Sequence, residues 1–146
     1  MRTRLLRLAA LAFLSLLACL LATGCAAPRT DHLPAKGALG PYSAAVSSGD
    51  HVFLSGKIGK RGGTFAEEVK SAIDAVEVDL LALGLSLNDV LSANVFVTDM
   101  ALYAELNTAY AARFPQPYPA RTTVGVTSLP GGARVEIQVV AARRPR

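Results

Sequence analysis

Hydrophobic positions recur along residues 36–144 with two periods, which predict a small fold of helices and strands. Between residues 65 and 83, apolar side chains return at every third or fourth position, the spacing of one helix face. Thr64 and Glu67 form the capping box that begins such a helix, and Gly84 is typical of its end. The pattern therefore predicts one long amphipathic helix.

A second helix and five strands complete the predicted domain. The helix is expected over about Met100–Arg113, where Asp99 supplies an N-cap and the prolines from Pro115 onward stop it. The order β-β-α-β-α-β-β predicts an α+β domain, a single mixed sheet that carries both helices on one face. The strands are expected in runs of apolar and β-branched residues: Tyr42–Ser47, His51–Ser55, Val90–Val97, Ala120–Thr127 and Arg134–Ala142.

The last predicted strand has apolar side chains on both of its faces. Val135, Ile137 and Val139 point one way, whereas Val140 points the other. Two helices can cover only one face of a sheet, so the other face needs a different cover. This pattern predicts contact with further copies of the chain, although it does not set their number.

The first 24 residues have the pattern of a secretory signal peptide of the lipoprotein type. Three arginines precede an apolar run, Leu8 to Leu21, which is short for a membrane span. Small residues then lead to Cys25, the arrangement of a bacterial lipoprotein cleavage site. Cys19 is an alternative site, and an uncleaved anchor helix is an alternative outcome.

This leader sets the expected location of the protein. Residues 25–35 are expected to form an extended, solvated linker to a domain at residues 36–144. Lipid on Cys25 would hold the exported domain at a membrane, on the periplasmic side of a bacterial envelope. The sequence leaves open which membrane this is.

Charge and ligand spacing disfavour two classes of partner. Six of the 15 Lys and Arg lie in the leader and the last four residues, which leaves nine against 11 Asp and Glu, a net charge of −2 for residues 25–142. No basic face remains for nucleic acid. The two histidines, His32 and His51, show no metal-ligand spacing, and both cysteines lie in the leader, so we expect neither a metal nor a cofactor.

The stretch Tyr118–Val124 carries the strongest chemical signal. It places Arg121 at the start of a strand, directly after a proline-bearing turn. A guanidinium on a rigid element suits a carboxylate, because its planar donors match both oxygens. Taken alone, such an arginine is more often a solvated charge or a salt-bridge partner.

Five segments in a fixed order carry a family resemblance. Together they resemble the RidA/YjgF family of small imine and enamine deaminases, over roughly Lys36–Arg144. The resemblance implies a RidA/chorismate-mutase-like fold and a homotrimer with its sites in the clefts between subunits. The segments are Ala38–Ser43, Val52–Ile58, Leu106–Tyr110, Tyr118–Val124 and Arg134–Ala141.

The resemblance also implies a reaction and the residues that carry it out. In the family, water adds to a carbon–nitrogen double bond beside a carboxylate, and the products are a 2-keto acid and ammonium. Arg121 matches the family arginine and is expected to bind the substrate carboxylate. Tyr42 and Asn107 match positions at the pocket, and Ser55 is placed to bond the ligand or its water.

The match departs from the family in the last strand. The family pattern there is glutamate-x-glutamate, and we expect the second position to orient the hydrolytic water. Here Glu136 stands at the first position, beside the substrate, and Gln138 at the second. A glutamine amide holds a water but cannot accept its proton.

The alternatives for these residues remain open on the sequence alone. Tyr42 could be an ordinary packed strand residue, Ser55 a turn serine and Asn107 a solvated helix residue. The expected function is hydrolysis of small carboxylate-bearing imines or enamines. Gln138 keeps open a non-catalytic module that binds a small carboxylate, and a scaffold protein independent of Arg121 is a third alternative.

Overall fold

One seven-stranded sheet with two helices makes up the part of the chain that the computed structural model describes, residues 30–143. The leader, Cys19 and Cys25 lie outside these residues. Within residues 30–143, no helix is long and apolar enough to cross a membrane. The elements are β1 Thr30–Pro34, β2 Ser43–Ser48, β3 His51–Leu54, β4 Lys57–Ile58, α1 Phe65–Ala82, β5 Val90–Val97, α2 Tyr103–Ala111, β6 Ala120–Gly125 and β7 Val135–Ala142.

The strand β7 is the centre of the sheet. The strand order is β1-β2-β3-β7-β5-β6, and the short β4 pairs with β7 on the same edge as β3. Only β5 and β6 run parallel, while the other pairs are antiparallel. The predicted mixed sheet is therefore confirmed.

Both helices lie on one face of this sheet, as predicted. The side chains of Val135, Ile137, Val139 and Ala141 on β7 are fully buried in the same core as the apolar face of α1. The opposite face is less covered, with Phe53 47% exposed. Alternation along each strand thus separates a helix-covered face from an uncovered one.

The helix ends follow the signals in the sequence. Thr64 and Glu67 form both bonds of the capping box at the start of α1, and Gly84 adopts a φ of +72° just after its end. Asp99 caps a turn of 3-10 helix, Met100–Leu102, and α2 follows it. The second helix is thus shorter than its predicted span.

Two short strands were not predicted. Residues 30–34, placed in the linker by sequence analysis, form β1 at the sheet edge and pair with β2. Four of the five β1 side chains are exposed, so the segment lacks the buried apolar positions by which a sequence indicates a strand. After β3, the chain leaves β7 at Ser55 and Gly56 and then rejoins it as β4.

A buried carboxylate fastens α1 to the beginning of β7. Glu68 is fully buried, and its side chain accepts hydrogen bonds from the backbone N–H and the Nε of Arg134, both at 2.6 Å. The guanidinium of Arg134 also lies 5.6 Å from the centre of the Phe65 ring. A buried charge is tolerated only when it is paired and hydrogen-bonded in this way.

We predict that Arg134→Ala lowers the free energy of unfolding by about 3 kcal/mol, because it leaves the Glu68 carboxylate buried without its cation. Urea unfolding measures the change. Lys70→Ala is the matched control, since it breaks an exposed ion pair with Asp74 and should cost about 0.5 kcal/mol or less. Equal losses in the two variants would contradict the prediction.

Candidate functional site

The side chain of Arg121 lies at the edge of the sheet, against α2. In the parallel pairing of β5 and β6, Arg121 stands opposite Ala93, whose side chain is buried on the helix-covered face. The Nη2 of Arg121 donates hydrogen bonds to the Oδ1 of Asn107, at 2.5 Å, and to the hydroxyl of Tyr103, at 3.3 Å. Tyr103 and Asn107 are four residues apart on α2 and share one face of the helix.

Aromatic rings hold the guanidinium from one side. The Cζ of Arg121 lies 4.7 Å from the centre of the Tyr110 ring, which itself stacks on Phe114 with 4.1 Å between ring centres. A cation over a ring face is attracted to it. Arg121 is therefore fixed by helix residues, rather than being a solvated charge.

Burial raises the pKa of Tyr110 to about 12, although the positive charge of Arg121 opposes the shift. Among residues 30–143, no group bonds the Tyr110 hydroxyl. The ring supports Arg121 by packing, and its hydroxyl adds no bond to that contact.

A pocket of about 340 Å³ opens beside Arg121. We call it the arginine pocket. A single cation beside aromatic and aliphatic walls suits a small anion that carries an apolar group. Its lining residues are Asn107, Tyr110, Ala111, Tyr118, Pro119 and Arg121.

A second pocket, of about 420 Å³, contains a carboxylate instead. We call it the glutamate pocket, after Glu136, its only charged lining residue. No hydrogen bond or ion pair holds the Glu136 carboxylate within the described chain, which leaves both of its oxygens available to a ligand or a water. The lining residues are Leu39, Gly40, Tyr42, Ser55, Gly56, Ile58, Pro130 and Glu136.

Gly56 leaves the space that the Glu136 carboxylate occupies. A Cβ added at Gly56 would lie 1.8 Å from the Oε1 of Glu136. Any other residue at this position would therefore displace the carboxylate. The gap between β3 and β4 thus positions Glu136 as well as Ser55.

Two predicted site residues make local bonds inside the glutamate pocket. The hydroxyl of Ser55 donates to the carbonyl of Ser43 at 2.7 Å, so this serine also ties the backbone of the turn. The hydroxyl of Tyr42 accepts from the N–H of Leu39 at 3.4 Å, and Tyr42 remains 47% exposed. Both side chains still line the pocket, so the structure brings them together with Glu136.

Gln138, which was expected to hold the reacting water, lines neither of these two pockets within the single chain. Its Oε1 accepts a hydrogen bond from Asn94 at 2.8 Å, and its Nε2 donates to the carbonyl of Val139 at 3.2 Å. Gln138 shares a face with Glu136 but lies about 7 Å further along β7. That step moves it away from the lining of the glutamate pocket, where Glu136 remains.

The two pockets are separate within one chain. They share no lining residue. Glu136 and Arg121 stand on strands separated by β5, and their side chains point to opposite faces of the sheet. Arg121 and Asn107 are therefore brought together in one pocket, and Tyr42, Ser55 and Glu136 in the other.

The aromatic partners of Arg121 were not predicted as site residues. Tyr103 stands four residues before Asn107 and Tyr110 three residues after it, a helical spacing that the sequence does contain. The missing information was that β6 lies beside this face of α2. Across residues 30–143, no group of three or more His, Cys, Asp or Glu is arranged to hold a metal ion.

We predict that Tyr110→Phe removes a loss of stability at high pH. The folded state raises the pKa of Tyr110 from 10.0 to about 12, so this stability is present below pH 10 and is lost as the pH rises to about 12. Phenylalanine has no hydroxyl to ionise. At neutral pH, the free energy of unfolding of the variant should stay within about 1 kcal/mol of that of the unaltered protein.

Urea unfolding, repeated at intervals of about one pH unit between pH 8 and pH 12, measures this difference. Tyr118→Phe is the control, because Tyr118 is exposed. The prediction fails if Tyr110→Phe and the unaltered protein lose stability equally above pH 10.

Comparison with known proteins gives one consistent result. The profile of the family described as endoribonuclease L-PSP matches residues 33–143. A protein of Dermatophagoides farinae named 2-iminobutanoate/2-iminopropanoate deaminase is 36% identical over 109 residues, covering 70% of this chain and 85% of the relative. A Bos taurus protein of the same name is 34% identical over 118 residues, covering 76% and 86%.

Solved structures agree with the sequence comparison. RidA from an Antarctic Psychrobacter is 36% identical with a TM-score of 0.70, and the match covers 80% of this chain and 98% of that one. Yeast Mmf1 is 30% identical with a TM-score of 0.74, covering 80% and 100%. The chain belongs to the RidA/YjgF family, whose profile is described as endoribonuclease L-PSP.

Proposed function

We propose that the protein hydrolyses small carboxylate-bearing imines or enamines to 2-keto acids and ammonium. The observation that carries the proposal is the guanidinium of Arg121, fixed by Asn107 and Tyr110 at a pocket of small-molecule size. Relatives at 34–36% identity named as deaminases of 2-iminobutanoate and 2-iminopropanoate support the substrate class.

Arg121 binds the substrate carboxylate in this proposal. A charge-assisted hydrogen bond of this kind contributes about 1.5–3 kcal/mol. The contact with Asn107 fixes the guanidinium before the ligand arrives, so little side-chain entropy is lost on binding. The apolar walls of the arginine pocket leave room for a short aliphatic group.

Glu136 is the base in the proposed reaction. Its carboxylate faces the glutamate pocket and can accept a proton from the attacking water, which a glutamine amide cannot do. Tyr42 and Ser55 line the same pocket and are placed to hold the ligand or the water. The proposed site thus consists of Arg121 and Asn107 from one pocket, and Glu136, Tyr42 and Ser55 from the other.

These two sets act together only if a second copy of the chain joins them. Within one chain the sheet separates Arg121 from Glu136. The exposed Phe53 and Val124 on the uncovered face supply apolar surface for contact between copies. We propose a homotrimer in which the arginine pocket of one subunit faces the glutamate pocket of the next.

The carboxylate of Glu136 favours the enzyme over the binding-module alternative. That alternative rested on a glutamine at the reacting water, and the carboxylate of Glu136 lines the pocket instead. The name endoribonuclease in the family description gains no support from this site. The glutamate pocket carries a single negative charge, whereas phosphate backbones are bound by clustered Lys and Arg.

We predict that Arg121→Ala and Glu136→Gln are each inactive but restore activity when combined in mixed oligomers. Loss of the base should lower the rate by about 10²–10⁴-fold. If each site joins two subunits of a trimer, about a third of the sites in the mixed trimers regain both native residues. Co-expression of two differently tagged variants, with capture through both tags in turn, isolates the mixed oligomers.

Activity is measured by generating short-chain imino acids with an amino-acid oxidase and trapping the remaining imine with semicarbazide. Gln138→Ala is the matched control on the same strand and should keep its activity, because Gln138 lines neither pocket. Mixed oligomers as inactive as the single variants would show that Arg121 and Glu136 do not act across subunits. Full activity of Arg121→Ala alone would sink the proposed reaction.

We further propose that the protein is exported and anchored by lipid on Cys25. The family match begins at residue 33, so the apolar leader precedes the family domain. Three arginines, an apolar run and a cysteine after small residues support a lipoprotein signal. The substrates would then be imines present in the bacterial envelope.

We predict that Cys25→Ala releases the protein from membranes and prevents its labelling by a radioactive fatty acid in growing bacteria. Cys25 is the expected lipid acceptor, and stable anchoring needs more than one acyl chain. Cys19→Ala is the control, as the second cysteine of the same leader, and should remain labelled and membrane-bound. Unchanged labelling of Cys25→Ala would refute the anchor.

A further inference from the structure

Both hydrogens on the Nη2 of Arg121 already have acceptors within the chain. One goes to the Oδ1 of Asn107 at 2.5 Å and the other to the hydroxyl of Tyr103 at 3.3 Å. This arrangement matters because Nη2 belongs to both edges with which a guanidinium can grip a carboxylate. One edge pairs Nη2 with Nε, and the other pairs it with Nη1.

A carboxylate therefore cannot form two parallel hydrogen bonds with Arg121 unless one internal acceptor gives way. The bond to Asn107 is short, and Asn107 is half-buried beside the arginine pocket. The bond to Tyr103 is long, and Tyr103 is 40% exposed. The hydroxyl of Tyr103 can turn to water at little cost, whereas the amide oxygen of Asn107 cannot.

We infer that the hydroxyl of Tyr103 is a displaceable partner of Arg121 that a bound carboxylate replaces. This inference rests on the proposed binding of carboxylate by Arg121. In the empty site, Tyr103 and Asn107 together hold the guanidinium over the Tyr110 ring, 4.7 Å from its centre. On binding, one carboxylate oxygen takes the Nη2 hydrogen that Tyr103 releases.

The exchange makes Tyr103 a positioning residue that also sets selectivity. A ligand with a single neutral acceptor replaces one hydrogen bond by another and gains little. A carboxylate gains two charge-assisted bonds for the one that is lost, so it is favoured. The empty site therefore stays ordered while it discriminates in favour of carboxylates.

The test measures the Kd of 2-oxobutanoate by calorimetry for the whole protein and for single variants. Tyr103→Phe keeps the ring that lies 5.8 Å from the Arg121 Cζ and removes only the competing hydroxyl. It should bind about three- to tenfold more tightly, because no internal bond has to break. Thr108→Ala is the control, since it removes a hydroxyl on the same helix that bonds the carbonyl of Ala104 and lines neither pocket, and its Kd should not change.

The outcomes separate this inference from the function on which it rests. Unchanged or weaker binding by Tyr103→Phe, together with lost binding by Arg121→Ala, overturns the exchange and leaves the carboxylate site intact. Unchanged binding by Arg121→Ala overturns both. A structural role for the Tyr103 hydroxyl would weaken binding when the hydroxyl is removed, so tighter binding is a result that only the exchange predicts.

Discussion

The buried ion pair between Glu68 and Arg134 is the constraint on which the arrangement of the molecule depends. It joins the first turn of α1 to the residue that precedes β7, and β7 pairs with β3, β4 and β5. Gly59 lies against Glu68, and its N–H donates to the carbonyl of Val135, so the chain after β4 is held at the same point. Because the charge is buried, the packing of α1 on the sheet must keep Glu68 beside its donors on Arg134. Two residues that line the glutamate pocket, Ile58 and Glu136, lie within two positions of this junction along the chain.

Alternate side chains of β7 point to opposite faces of the sheet, and the two faces have different roles. Val135 and Ile137 fill the core beneath the helices, while Glu136 between them points to the other face. The core side chains fix the strand, and the strand then fixes the carboxylate without any hydrogen bond to it. Gly56 completes this placement, because a Cβ there would overlap the position that the carboxylate occupies. A site residue held by strand geometry keeps both oxygens free for its ligand.

Periodicity and capping predicted the helices, the mixed sheet and its uncovered face, because these follow from burial along each element. The edge strands β1 and β4 were missed, since their pairing depends on backbone bonds that leave little trace in side-chain composition. Gln138 was assigned to the reacting water from its position in a pattern, but Glu136 and Gln138 have the same parity. The sequence does not distinguish them, and the fold shows that Glu136 lines the glutamate pocket. Likewise, Arg121 was found from its local sequence, whereas its contact with Tyr103 depends on how α2 crosses β6.

The separation of Arg121 from Glu136 within one chain has a chemical consequence. If these opposite charges met in the empty site, each would satisfy the other, and the carboxylate would become a poorer base while the guanidinium lost its free donors. The sheet prevents this pairing inside the subunit. In the proposed assembly, the substrate lies between the two groups, so its carboxylate takes the arginine and its reacting carbon faces the glutamate. In the occupied cleft, the substrate then bridges the two opposite charges, so they are not paired directly with each other.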